Sequence, residues 1–191
     1  MADTPLLKLP IDEFLNRLAS DAPVPGGGSA AALGGALAAA LGRMVCGLTA
    51  GKPKFADVTP QIEPLAARLT RSELMLRRLI DEDAAAYAEL SAAFKIDKSD
   101  PERKKKIAAA AEIAAAVPLE TAAVSRQVLG DLRRLEPIGN PNLRSDVEAA
   151  IHFARAAMLA AAANVRINLS MLPEEQAKTV SATLESLLTV D

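Results

Sequence analysis

Asp83 stands on an unexpected side of its helix. Leu76, Ile80, Asp83, Tyr87 and Leu90 follow one another at spacings of four, three, four and three, so a carboxylate shares one helical face with four apolar or aromatic residues. Such a group is either buried with a partner or open to a pocket, because an unpaired buried charge is strongly unfavourable. An apolar setting raises its pKa toward neutrality. A carboxylate tuned in this way can take and return protons at nitrogen or water, worth about 10² to 10⁴-fold in rate. The competing reading is that Asp81, Glu82 and Asp83 form a solvated acidic run.

A second stripe, Asp146, Ala150, Phe153, Ala157, Ala160, Asn164 and Asn168, advances by fours and threes. It sets two amides above a floor of small side chains. Asparagine competes for backbone hydrogen bonds and is a poor helix former, so two on one face need partners: either the backbone of a packed helix or a ligand. The preceding loop, GNPNLRSD from Gly139 to Asp146, places Asn142 and Asp146 near a helix N-terminus. His152, the sole histidine, falls on the opposite side with Arg155 and Arg166 and reads as a surface residue. A third feature is the glycine run Gly26, Gly27 and Gly28 before Ser29. It is either a tight turn or a place where something approaches the backbone, and the N–H groups at a helix start suit an anionic group. The spacing is neither that of a phosphate loop nor G-x-G-x-x-G after a strand.

The elements that must hold these residues are helices. Apolar positions recur at three and four, β-branched and aromatic residues are sparse, and no turn-bounded alternating run is present. The pattern predicts about six helices: Ile11 to Ser20, Ser29 to Ala50, Thr59 to Phe94, Pro101 to Leu135, Ser145 to Leu169 and Pro173 to Leu188. Pro64 delays the regular part of the third to about Leu65, and Pro118 kinks the fourth. Ser145 and Glu148 have the spacing of a capping box for the fifth. In the second helix, Ala31, Gly35, Ala39, Gly42 and Cys46 make a stripe of small residues that lets a neighbour approach closely. The fold class is an all-α helical bundle, with residues 1–191 as a single domain.

Composition limits the functional classes. Half of the 191 residues are hydrophobic and the formal net charge is −2, which gives no field for nucleic acid or an anionic membrane. The basic run Arg103 to Lys106 adjoins Glu102 and reads as a solvated face. One cysteine, Cys46, allows no internal disulfide and fits a reducing, cytoplasmic setting; no cysteine or histidine cluster proposes a metal. The acidic N-terminus, with Asp3, Asp12 and Glu13, does not resemble a signal peptide. The apolar helical stretch Ala30 to Gly42 is too short to span a bilayer.

Taken together, PGGGSAAALGGALAAAL (Pro25 to Leu41), MVCGLTAGKPKF (Met44 to Phe55), DEDAAAY (Asp81 to Tyr87), VPLE (Val117 to Glu120), NPNLRSD (Asn140 to Asp146) and ANVRINL (Ala163 to Leu169) resemble the cyclodeaminase/cyclohydrolase family of folate enzymes. The resemblance implies an all-helical, typically homodimeric enzyme of one-carbon metabolism whose substrate is a tetrahydrofolate derivative and which needs no metal or redox cofactor. The implied reactions are hydrolysis of 5,10-methenyltetrahydrofolate to 10-formyltetrahydrofolate, or closure of 5-formiminotetrahydrofolate to the same bridge with loss of ammonia. Asp83 and Asp146 become candidate catalytic groups. Asn142, Asn164 and Asn168 are candidates for reading the pterin edge, and Lys52, Lys54 or the Gly26–Ser29 loop for meeting the anionic glutamate tail. With no room seen for a transferase domain, the cyclohydrolase is the favoured expectation. A non-catalytic helical scaffold and a nucleic-acid binder resting on Arg103 to Lys106 are the other classes, and neither accounts for polar residues on these stripes.

Overall fold

The computed structural model describes residues 4–189, so Asp3 of the acidic N-terminus lies outside the described residues. Six α-helices follow in order: α1 (Ile11–Leu18), α2 (Gly27–Thr49), α3 (Thr59–Phe94), α4 (Arg103–Leu135), α5 (Arg144–Leu169) and α6 (Glu174–Leu188). Short 3₁₀ turns occupy Leu6–Lys8, Pro53–Phe55 and Pro141–Leu143, and no strand occurs among the described residues.

Close approaches at α2 give the topology. Gly28, Gly35 and Gly42 meet Asp83, Leu76 and Leu69 of α3 in descending order, so α2 and α3 are antiparallel. Gly35 and Gly42 meet Ser125 and Leu132 of α4 in ascending order, and Gly27 and Gly34 meet Asn164 and Ala157 of α5 in descending order. Helices α2 to α5 thus form an up-down-up-down four-helix bundle, with α6 laid on α4 and α5. The predicted small-residue stripe of α2 is buried along its whole length. It lets α3 and α4 close in: a Cβ on Gly42 would lie 2.6 Å from Leu132 Cδ2, and one on Gly35 would lie 2.8 Å from Ser125 Oγ.

Three local expectations change. Helix α3 is regular from Thr59 and passes through Pro64. Helix α4, by contrast, is the single helix through Pro118 that its periodicity predicts. The capping box at Ser145 and Glu148 does not form: α5 begins at Arg144 after a 3₁₀ turn in which the Asn140 side chain accepts the Asn142 N–H. Finally, the apolar length of α2 does not stop at Gly42: the helix, which ends at Thr49 close to its predicted end, counts as one apolar span through Arg43, whose guanidinium pairs with the buried Glu73 of α3. By length and composition alone α2 and α4 are therefore long enough to cross a membrane, although half of each is buried inside the bundle.

Unequal helix lengths create a recess. Helix α3 has 36 residues and α4 has 33, whereas α2 has 23. At the end where α2 starts, α3 continues eleven residues past Asp83 and α4 begins well before it reaches the level of Gly28. The space that a longer α2 would have filled is left open between α3, α4 and α5.

Candidate active site

That space is a cavity of about 590 Å³, lined by Pro23, Val24 and Gly26 to Gly28 from the loop into α2, by Asp83, Tyr87, Leu90, Phe94 and Lys95 from α3 and its end, by Ala114 of α4, and by Asn164, Ile167, Asn168 and Met171 from α5 and beyond. It falls in the usual size range for a small-molecule site, with mostly apolar walls and a few polar groups.

Asp83 is the one acidic group among these residues. Burial raises its pKa above the ordinary carboxylate value, while the hydroxyl and backbone N–H of Ser29 oppose that rise. Ser29 Oγ lies 2.9 Å from both the Asp83 carboxylate and the Ile80 carbonyl. The hydroxyl has one hydrogen and two acceptor positions, so it fits either form of Asp83. It donates to the ionised carboxylate, or donates to Ile80 and accepts from the neutral acid. The carboxyl is held in one place while its proton comes and goes.

The glycine run has a steric cause. A Cβ on Gly28 would stand 1.9 Å from Asp83 Oδ1, closer than non-bonded atoms approach, and one on Gly27 would lie 3.2 Å from Asn164 Nδ2. Glycine at these two positions allows Asp83 and Asn164 to rest against the start of α2. Gly26 precedes the helix in extended conformation and its carbonyl accepts the Ala30 N–H.

Asn164 donates to the Ala160 carbonyl within its own helix at 2.9 Å. Asn168 donates 2.6 Å to the Ala114 carbonyl of α4. Ala114 stands four residues before Pro118, which has no N–H to complete the helical bond, so the Asn168 amide takes the acceptor that the proline leaves open. Both amides retain an oxygen and a second N–H for a ligand.

The structure does not bring Asn142, Asp146 or Lys52 to this cavity. Asp146 and Asn164 share α5 but lie 18 positions apart, about 27 Å along the axis at 1.5 Å per residue. Asn142 and Lys52 belong to the same far end, where the Asn140 N–H bonds to Thr49 Oγ1 at the close of α2. The second stripe is correspondingly not an interior face: Phe153 and Ala160 are exposed, as is His152. Lys95, Phe94 and Met171 were not singled out from sequence, yet Lys95 is the only cation among the lining residues. A signal was available, since Asp83, Tyr87, Ser91 and Lys95 continue one face of α3 by fours.

A family model described as formiminotransferase-cyclodeaminase matches residues 10–185. The chain belongs to the formiminotransferase-cyclodeaminase family. The methenyltetrahydrofolate cyclohydrolase of Methylorubrum extorquens is 36% identical over 168 residues, covering 86% of this chain and 81% of the relative. The formimidoyltransferase-cyclodeaminase of Gallus gallus is 29% identical over 190 residues, 97% of this chain. The chain spans 35% of that relative's length. The crystal structure of a formiminotetrahydrofolate cyclodeaminase from Thermotoga maritima superimposes with a TM-score of 0.86 at 30% identity, covering 94% of this chain and 88% of the other. All the quoted motifs, from Pro25 to Leu169, lie inside the family match, and three of them supply Gly26 to Gly28, Asp83, Tyr87, Asn164, Ile167 and Asn168 of the cavity lining.

Proposed function

We propose that the chain is a cytoplasmic, homodimeric methenyltetrahydrofolate cyclohydrolase that adds water to 5,10-methenyltetrahydrofolate and releases 10-formyltetrahydrofolate, with neither metal nor redox cofactor, nucleic acid nor membrane as partner. The observation that carries the reading is the half-buried Asp83 carboxyl, raised in pKa and held by Ser29 at the wall of a folate-sized cavity.

Ionised Asp83 takes a proton from water as its oxygen bonds to the bridging carbon of the methenyl cation. The adduct collapses when the bond from that carbon to N5 breaks, N5 receives a proton and the hydroxyl becomes the formyl carbonyl. One proton is released overall. A carboxyl poised between its two forms serves both transfers. The free amide groups of Asn164 and Asn168 suit the hydrogen-bonding edge of a pterin. Lys95, twelve positions beyond Asp83 and about 18 Å along α3, suits the carboxylates of the tail. This orientation puts the reacting carbon at the glycine loop and the tail at the far rim. Burial first, then nearby Asp131, pushes the Cys46 thiol up to about 11, so it stays protonated and takes no part in the chemistry.

Formimidoyltetrahydrofolate cyclodeamination is the second reading, favoured by the likeness to the Thermotoga maritima structure. It would form the same bridge and expel ammonia, a lyase reaction. The test offers purified protein each substrate separately. Loss of the methenyl chromophore is expected; ammonia release without methenyl hydrolysis would reverse the choice, and inactivity on both would return the protein to a scaffold role.

A further inference from the structure

Aromatic side chains are scarce in this chain, which has one tyrosine, four phenylalanines and no tryptophan. Two of these, Tyr87 and Phe94, stand on the α3 wall of the cavity, and each is 47% exposed. They lie seven positions apart with Leu90 between them, so one face of α3 presents a ring, an aliphatic chain and a second ring over about 10 Å. Neither ring is spent inside the protein. The one cation–ring contact among the described residues is Lys54 over Phe55, and the Tyr87 hydroxyl has no hydrogen-bond partner among them. Tyr87 follows Asp83 by one turn, about 6 Å along α3, whereas Phe94 adjoins Lys95 at the far rim.

The two ends of the cavity therefore differ in kind. The Lys95 end suits an anion. At the other end the start of α2 contributes the positive end of its dipole, and Asp83 loses its charge each time it takes a proton, so the carboxylate is no standing counter-charge. The face of the Tyr87 ring carries a negative potential that does not depend on a proton. We infer, resting on the folate reading of this cavity, that Tyr87 selects folates whose one-carbon group is a cation by seating that group against its ring. The methenyl bridge is an amidinium, its positive charge spread over N5, the bridging carbon and N10. The formimino group is an amidine, a base strong enough to be protonated at neutral pH. Both candidate substrates thus bring a delocalised cation to the same place, and weakly hydrated, delocalised cations are well suited to an aromatic face. Hydration removes the charge: the oxygen of water bonds to the carbon, a proton leaves, and the formyl product is neutral there. The ring holds substrate more tightly than product and so favours exchange of one for the other after turnover. Phe94, beside Lys95 and away from the bridge, packs without regard to charge.

Binding to the full chain carrying Asp83→Asn, in which turnover does not intervene, tests this with 5,10-methenyltetrahydrofolate as the cationic probe and 5-formyltetrahydrofolate as the neutral one. Adding Tyr87→Leu keeps an apolar side chain and removes the ring. It is expected to weaken the methenyl probe about tenfold and the formyl probe by less than about twofold. Tyr87→Phe keeps the aromatic face and should hold both affinities within about threefold of the parent. Phe94→Leu should change the two affinities by the same factor. Equal losses of both probes in Tyr87→Leu, or methenyl binding left unchanged, would overturn the selection. With Asp83 intact, Tyr87→Leu should raise KM for the methenyl substrate without lowering kcat, because the charge that the ring attracts fades in the transition state. A fall in kcat at fixed KM would overturn a role in recognition. If neither the wild-type chain nor Asp83→Asn binds either probe, the folate reading fails and the selection with it, whereas binding of both with equal losses in Tyr87→Leu overturns the selection alone.

Discussion

Asp83, Ser29 and Gly28 form the smallest unit whose behaviour follows from geometry. Asp83→Asn preserves shape and removes the proton acceptor, so turnover of the methenyl substrate is expected to drop by at least about 100-fold with the helical circular dichroism unchanged. The same group links stability to pH. Its folded pKa lies above the unfolded value of 3.8, so the folded chain keeps a proton that the unfolded chain gives up. The stability this supplies is complete below the unfolded value and is lost as pH rises through the raised one. Asp83→Asn, neutral throughout, should therefore melt above wild type at about pH 8 and level with it at about pH 3. Wild-type turnover should follow the opposite course, falling as pH drops through the raised pKa, since the base must be ionised; a flat profile would remove Asp83 from the chemistry. The position of this carboxylate was legible from its spacing among apolar neighbours. Its contact with Gly28 was not, because 55 positions separate the two and only the antiparallel packing of α2 on α3 joins them.

Helix boundaries were legible wherever periodicity and proline or glycine punctuation agreed, as they did from Thr59 to Phe94. The interior prolines were harder to read, since local rules interrupt a helix at Pro64 that in fact runs on from Thr59, and tertiary contacts can replace the bond a proline removes. Asn168 does so for Pro118. Replacing Asn168 with Ala should leave the Ala114 carbonyl without its partner and lower stability by about 1–3 kcal/mol. In a Pro118→Ala background the helical N–H returns, so the same change should cost less, and urea unfolding of the four proteins measures the coupling. Strict additivity would mean that the amide and the proline are unrelated. The small-residue stripe of α2 makes a separate demand. Gly35→Leu drives a side chain into Ser125 and Leu76, both in the packed centre of the bundle, and should cost about 1–3 kcal/mol; an unchanged urea midpoint would contradict the close packing.

At the scale of the molecule, one recess has to serve whichever folate reaction the chain performs. Stripe membership and the family resemblance group Lys52, Asn142 and Asp146 with Asp83, yet a 26-residue helix separates the two ends by most of the bundle's length. A stripe specifies a face and says nothing of depth along it. The recess itself follows from α2 being shorter than α3 and α4, which depends on where helices start relative to one another in space. Its lining holds one carboxylate, Asp83, and one cation, Lys95, which on the proposed reading provide for a single bound folate at this place. Methenyl and formimino folates share the pterin, the tail and the carbon under attack, and must occupy it alternately. Methenyl hydrolysis is therefore expected to be inhibited competitively by 5-formiminotetrahydrofolate: the apparent KM for the methenyl substrate rises linearly with inhibitor while kcat stays fixed. Asp83→Asn should bind both with little change while losing turnover, since the substitution leaves the cavity's shape intact. Noncompetitive inhibition, in which kcat falls and KM holds, would require a second folate site and would sink the assignment of both ligands to the recess at Gly28 and Asp83.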